Sequence, residues 1–127
     1  MNALASCTAA IPIFDIDTHR AEPADLWTAR APAKYKGRTL HVKTRPNGEG
    51  WFIGDHYVTF VGPSVIRADM TKQLCTSTLY KFEEMVVASY DASARLNMMD
   101  QLGITAAVVY PNVIGFGAQT LMRACGT

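Results

Sequence analysis

Cysteine is scarce in this chain. Cys7, Cys75 and Cys125 are far apart, odd in number and form no CxxC pair. That excludes a disulfide scaffold and a cysteine-based zinc site, and it fits reduced thiols in a cytoplasmic protein. Long apolar runs are also missing: no stretch reaches the ~18 residues of a membrane span. No basic residue precedes Arg20, and the short apolar run near the start is broken by Thr8, which argues against a secretory signal. Leu4, Ala5, Ser6 and Cys7 look like a lipoprotein cleavage box but lack the basic and hydrophobic regions that should precede one. Charge of either sign is not in excess. Twelve basic residues face eleven acidic ones, for a net charge of +1. Neither a nucleic-acid-binding patch nor a solvating tail is therefore expected. A Gly-x-Ser-x-Gly elbow, a convincing Ser/His/Asp order and a cysteine beside a histidine are all absent, which leaves nucleophilic hydrolysis without a candidate.

What is present suits one ordinary domain. The chain has 127 residues, 49% of them apolar, enough to build a core. Residues 1–10 read as a loose leader. Residues 11–17 read as a buried strand ending in Asp15, Asp17 and His19. Strict alternation along a strand would put these three on one face, with Phe14 and Ile16 on the other. A loop with a helical turn at 23–29 should follow, started by Pro23 and Asp25 and stopped by Pro32.

Residues 38–61 read as an antiparallel excursion, with turns at Asn47-Gly48 and Gly54-Asp55 and a close at Gly62-Pro63. Residues 64–89 read as an irregular lid or loop with helical content from 81 to 89. The clearest helix is 92–102: Asp91 is a natural N-cap and Gly103 a natural C-cap, and Leu96, Met99 and Leu102 form the apolar repeat. A second buried strand, 104–110, ends at Pro111. Strand, excursion, helix and strand make a βαβ-type unit with a parallel sheet.

Two blocks carry a family resemblance. The first is the Asp17-Thr-His19 pair after an apolar strand, then Glu22-Pro23 and Asp25-Leu-Trp27. The second runs from Tyr90-Asp91 through Arg95-Leu96, Met99-Asp100 and Gly103-Ile104 to Tyr110-Pro111. In this order and combination they resemble the amidohydrolase-related group (the amidohydrolase 2 branch) of the metal-dependent hydrolases. The resemblance spans residues 11–125. It implies an α/β fold, the N-terminal part of a distorted (β/α)8 TIM-type barrel with the 38–61 excursion inserted. A complete barrel takes about 250 residues, so the resemblance also implies an N-terminal portion of a larger enzyme. The implied activity is metal-dependent hydrolysis of an amide, ester or lactone in a small molecule. Non-oxidative decarboxylation is the alternative within the family, and a non-catalytic fragment or interaction subunit the alternative outside it.

Asp17 and His19 are the expected metal ligands, through a hard oxygen and a neutral imidazole nitrogen. Zinc is the expected metal, with manganese as the alternative. The remaining ligands and the general base would lie outside this chain, which alone should be inactive. Asp15 could be a third ligand or an acceptor orienting His19, or could simply cap loop amides. Glu22 reads equally as a substrate contact and as a solvated loop carboxylate. Arg20 reads as an exposed arginine, or as a contact to an anionic substrate. Asn112 sits at the same barrel mouth. Trp27, Trp51 and Tyr57 read as core or interface aromatics, His41 as a packing residue and His56 as exposed. Gly115, Gly117 and Thr120 approximate a phosphate-cradling turn but lack its third glycine and lysine. Unpaired strand edges predict self-association.

Overall fold

The computed structural model describes residues 11–63, 65–71, 78–79, 81–113 and 122. The leader at 1–10, the Gly115–Thr120 turn and most of the 72–80 stretch lie outside the described residues. The chain forms strand β1 (Ile13–Arg20) and then a run of turns at 24–30. A 3-10 helix follows at Ala33–Arg38, and then β2 (Leu40–Arg45), β3 (Gly48–Ile53) and β4 (His56–Phe60). Two-residue strands β5 (Gly62–Pro63) and β6 (Thr78–Leu79) pair with each other. Short 3-10 turns at Phe82–Glu84 and Val87–Ser89 precede helix α1 (Ala92–Leu102) and strand β7 (Ile104–Pro111).

β1 and β7 run parallel as a two-stranded sheet. The predicted antiparallel excursion is a separate three-stranded meander, β2–β3–β4. Its first hairpin turns at Pro46 and Asn47, one position earlier than expected, because Gly48 already pairs with Arg45. Gly48 (φ 114°) and Gly54 (φ 58°) take left-handed backbone that other residues avoid. Gly62-Pro63 follows the end of the meander and, as β5, pairs with β6 in a separate two-stranded sheet.

α1 has the predicted bounds and both predicted caps. The Asp91 carboxylate accepts from the Ala94 amide at 2.8 Å, and Gly103 adopts φ 68°. Its inner face differs from the expected one. Arg95, Met98 and Met99 are half-buried, whereas Leu96 (61% exposed) and Leu102 (60% exposed) face outward. The reason is electrostatic: the helix turns its arginine toward β1, where Asp15 and Thr18 receive it.

The buried core sits beneath the meander and not beneath the parallel pair. Trp51, Val61 and Met85 are essentially inaccessible, and Ala21, Leu40, Val58 and Val113 join them. Trp51 meets Trp27 edge-on at 5.2 Å and Phe82 at 6.5 Å, and Phe82 meets Tyr90 at 5.6 Å. Such T-shaped contacts add about 0.5–1.5 kcal/mol each beyond area burial. This confirms Trp51 as a core residue, with half-buried Trp27 against it. Tyr57 instead lies on the surface, under the Arg45 guanidinium at 4.1 Å. The β1–β7 sheet stays open, with Phe14, Ile16, Val108 and Val109 all at least half exposed.

Trp51→Ala should therefore remove about 3–5 kcal/mol of stability, and Leu96→Ser should change it by less than ~0.5 kcal/mol. Urea unfolding of the two variants checks this. A Leu96 variant as damaging as the Trp51 variant would mean that α1 buries its other face.

Candidate functional site at the strand ends

The strand carrying the candidate ligands is longer than its sequence suggested. It runs to Arg20, so Asp17 and His19 lie within β1 and not beyond its end. Its pairing with β7 is interrupted. Asp15 partners Ala107 and Thr18 partners Val109, so Ile16 and Asp17 together stand opposite the single residue Val108. That is a bulge, and it shifts the alternation of side chains by one.

The shift separates Asp15 from His19. The Arg95 guanidinium lies 3.8 Å from the Asp15 carboxylate and also donates to the Thr18 hydroxyl. Asp15 and Thr18 therefore both face α1. From Thr18 onward pairing is regular, so His19 points the opposite way, beside Tyr110 with ring centroids 5.8 Å apart. The expected common face for Asp15, Asp17 and His19 is thus corrected. Asp15 also accepts from the Asp17 amide at 3.2 Å. The carboxylate of Asp17 is exposed and the imidazole of His19 is half-buried. Among the described residues no three His, Cys, Asp or Glu side chains cluster tightly enough to hold a metal ion.

Beyond β1 the chain is fastened by buried polar contacts. The Ala21 amide donates to the Ser89 carbonyl at 2.9 Å, and Arg20 Nη2 to the Tyr90 carbonyl at 2.8 Å. Arg20 is consequently half-buried, not the exposed arginine of one sequence reading. Glu22 is only 7% exposed. Its carboxylate accepts from the Asn112 amide at 3.0 Å and from the Val113 amide at 3.0 and 3.1 Å. The solvated-loop reading of Glu22 is corrected: it clasps the loop after β1 to the loop after β7. Burial raises its pKa above the ordinary value, and the backbone amides of Val113, Glu22 itself and Asn112 oppose that rise without cancelling it. Asn112 contributes its backbone amide to this clasp.

Tyr90 and Arg95 entered the sequence reading only as part of the second resemblance block, with no contact assigned, and the Val113 amide did not enter it. Arg95 carried the one available signal, a basic residue one turn after the Asp91 cap, within reach of a neighbouring strand. A pocket of about 410 Å³ opens at the strand ends, lined by Arg20, Glu22, Leu26, Arg30, Val109 and Tyr110 among others. None of the helices among the described residues is long and apolar enough to cross a membrane.

No family model matches the chain, and no curated protein matches it. Among solved structures it resembles an amidohydrolase, map2389c, from Mycobacterium avium subsp. paratuberculosis K-10. The TM-score is 0.53 at 19% identity, over 81% of this chain and 31% of that one. The chain thus spans about a third of that structure's length. At this identity the likeness is one of fold.

Because the folded pKa of Glu22 is raised, its protonated form is the one that folding favours. Its contribution is fully present below the unfolded value near 4.5 and is lost as pH rises through the folded value. Glu22→Gln keeps an acceptor without the charge and should flatten that part of the pH–stability curve. Glu22→Ala leaves the two amides without it and should cost about 1–3 kcal/mol. Urea midpoints from pH 4 to 8 would show it; an unchanged slope in Glu22→Gln refutes the assignment.

Proposed function

We propose that this chain carries a strand–helix–strand unit of a metal-dependent, amidohydrolase-type (β/α)8 enzyme, to which it contributes Asp17 and His19 as ligands of a divalent cation. The observation that supports this most directly is positional. Asp17 and His19 lie near the C-terminal end of a strand that runs parallel to β7, with α1 between them in sequence. Barrel enzymes build their sites at that end. His19 occupies the sheet face away from α1, the face a closed barrel turns inward. The fold likeness to an amidohydrolase agrees.

The donor chemistry fits zinc, or manganese, in kind: one carboxylate and one imidazole. It falls short in number, since a catalytic zinc takes about three protein ligands. Further ligands and a general base would have to come from elsewhere. Bound there, such a cation supplies Lewis acidity toward a carbonyl or carboxylate oxygen. The chain's own residues do the rest of what can be assigned. Tyr110 packs beside the His19 ring. The Glu22 clasp fixes the loop that leaves β7 next to it. Asp15, engaged by Arg95, is a strut and not a donor. Hydrolysis of an amide, ester or lactone in a small molecule is the preferred reaction, and decarboxylation shares the same first-strand ligands. This reading keeps the chain in the reducing cytoplasm, where its cysteines stay thiols.

A reading of another class, a non-catalytic interaction subunit, is favoured by one observation. Phe14 is 61% and Ile16 72% exposed on a sheet that is open among the described residues. Parallel sheets are normally covered on both faces.

The isolated chain should bind zinc substoichiometrically after dialysis. Asp17→Ala and His19→Ala should each weaken it by roughly tenfold or more, and Asp15→Asn should leave it unchanged. Metal content by equilibrium dialysis decides. Binding that survives both alanine variants would sink the metal reading. Sedimentation should show concentration-dependent self-association, and a strict monomer would count against the interaction subunit.

A further inference from the structure

Arg20 and Arg30 both line the pocket of about 410 Å³ at the ends of β1 and β7. Neither forms an ion pair among the described residues, where the ion pairs engage Lys43, Arg67, Lys81 and Arg95. Arg20 is half-buried. Its Nη2 reaches the Tyr90 carbonyl, and its Nε is shut off from solvent without an acceptor among the described residues. Arg30 is exposed and uses Nη1 on the Leu26 carbonyl at 3.0 Å. The acid in the same wall, Glu22, has both oxygens turned onto the Asn112 and Val113 amides. Two arginines thus line one pocket while the nearby carboxylate is committed elsewhere. Removing a cation from water without a counter-charge is costly, so an anion entering here relieves half-buried Arg20 and adds the charge attraction of exposed Arg30.

The remaining wall selects which anion. Leu26, Val109, Tyr110 and Pro111 make it mainly apolar, and its volume falls within the roughly 300–1,000 Å³ of small-molecule sites. Guanidinium groups match planar oxyanions through paired N–H donors. We propose that this pocket binds a small organic carboxylate, its anionic end on Arg20 and Arg30 and its apolar body against Leu26, Val109 and Tyr110. Arg20 approaches from the α1 side, through Tyr90, whereas His19 lies on the other face. Tyr110 lines this pocket and also packs beside the His19 ring, so the two sites adjoin, but the charge of the arginines attracts an anion without any cation.

The test is an NMR shift titration of the full chain in EDTA with benzoate, benzamide and inorganic phosphate. Benzoate should shift the amides of residues 20–30 and 109–110. Benzamide, its neutral isostere, and phosphate, which lacks the apolar body, should each bind about tenfold more weakly or worse. Arg30→Gln should weaken benzoate by a similar factor. That variant is preferred because Arg20→Gln also removes the tie to Tyr90. Equal binding of benzamide, or an unaffected Arg30→Gln, overturns the anion site. Phosphate binding as tightly as benzoate overturns the organic class. Because EDTA removes free metal, failure here is distinguishable from failure of the cation proposal.

Discussion

The Glu22 carboxylate, seated on the Asn112 and Val113 amides, joins chain positions 91 residues apart. Most of the candidate site depends on that clasp. It brings the loop after β1 against the loop after β7, and so puts Arg20, Tyr110 and Asn112 at one end of the sheet. An ionised carboxylate inside a protein is expensive unless hydrogen-bonded. Here backbone donors offset part of that cost and burial keeps the rest, hence the raised pKa. Around the clasp, Ala21 on Ser89 and Arg20 on Tyr90 anchor the same loop to the segment that leads into α1.

Arg95 plays the matching role inside the sheet. By holding Asp15 and Thr18 together it sits against the bulge in β1, the feature that sends His19 to one side and Asp15 to the other. The architecture thus divides its polar groups by face. One face, with α1, carries the arginines and their acceptors. The opposite face carries His19 and Tyr110 above an apolar stretch that includes Val108. The core that stabilises the chain lies around Trp51 of the meander and takes in Ala21 and Val113 from the loops that follow β1 and β7.

Local rules read much of this from the sequence. Asp91 and Gly103 fixed the ends of α1, and the glycines at 48 and 54 marked the meander, because caps and positive-φ turns depend on a few neighbouring residues. The bulge was not legible. Nothing in Asp15, Ile16 and Asp17 announces an extra residue, since the irregularity exists only relative to β7. The outward Leu96 and inward Arg95 escaped for a related reason. An apolar repeat predicts the buried face only when hydrophobicity decides the rotation, and here a half-buried ion pair decides it. Glu22 was equally opaque: its partners are main-chain amides far along the chain, and a carboxylate before a proline looks the same whether solvated or buried. Arg20 and Arg30 are two unremarkable basic residues until the turns at 24–30 bring them to one pocket.

The separation of the meander from the parallel pair has a kinetic consequence. β2, β3 and β4 are joined by two-residue loops, so their contacts are local and their loop closure costs little entropy. β1 and β7 must find each other across more than eighty intervening residues, with α1 already in place to present Arg95. Non-local parallel pairing of this kind is intrinsically slow. The meander should therefore form early, and the rest of the Trp51 core, which takes Ala21, Met85 and Val113 from outside it, should close as the site end assembles last. Until that late step, β1 is an uncommitted extended segment, exposed to whatever other chain can offer it an edge.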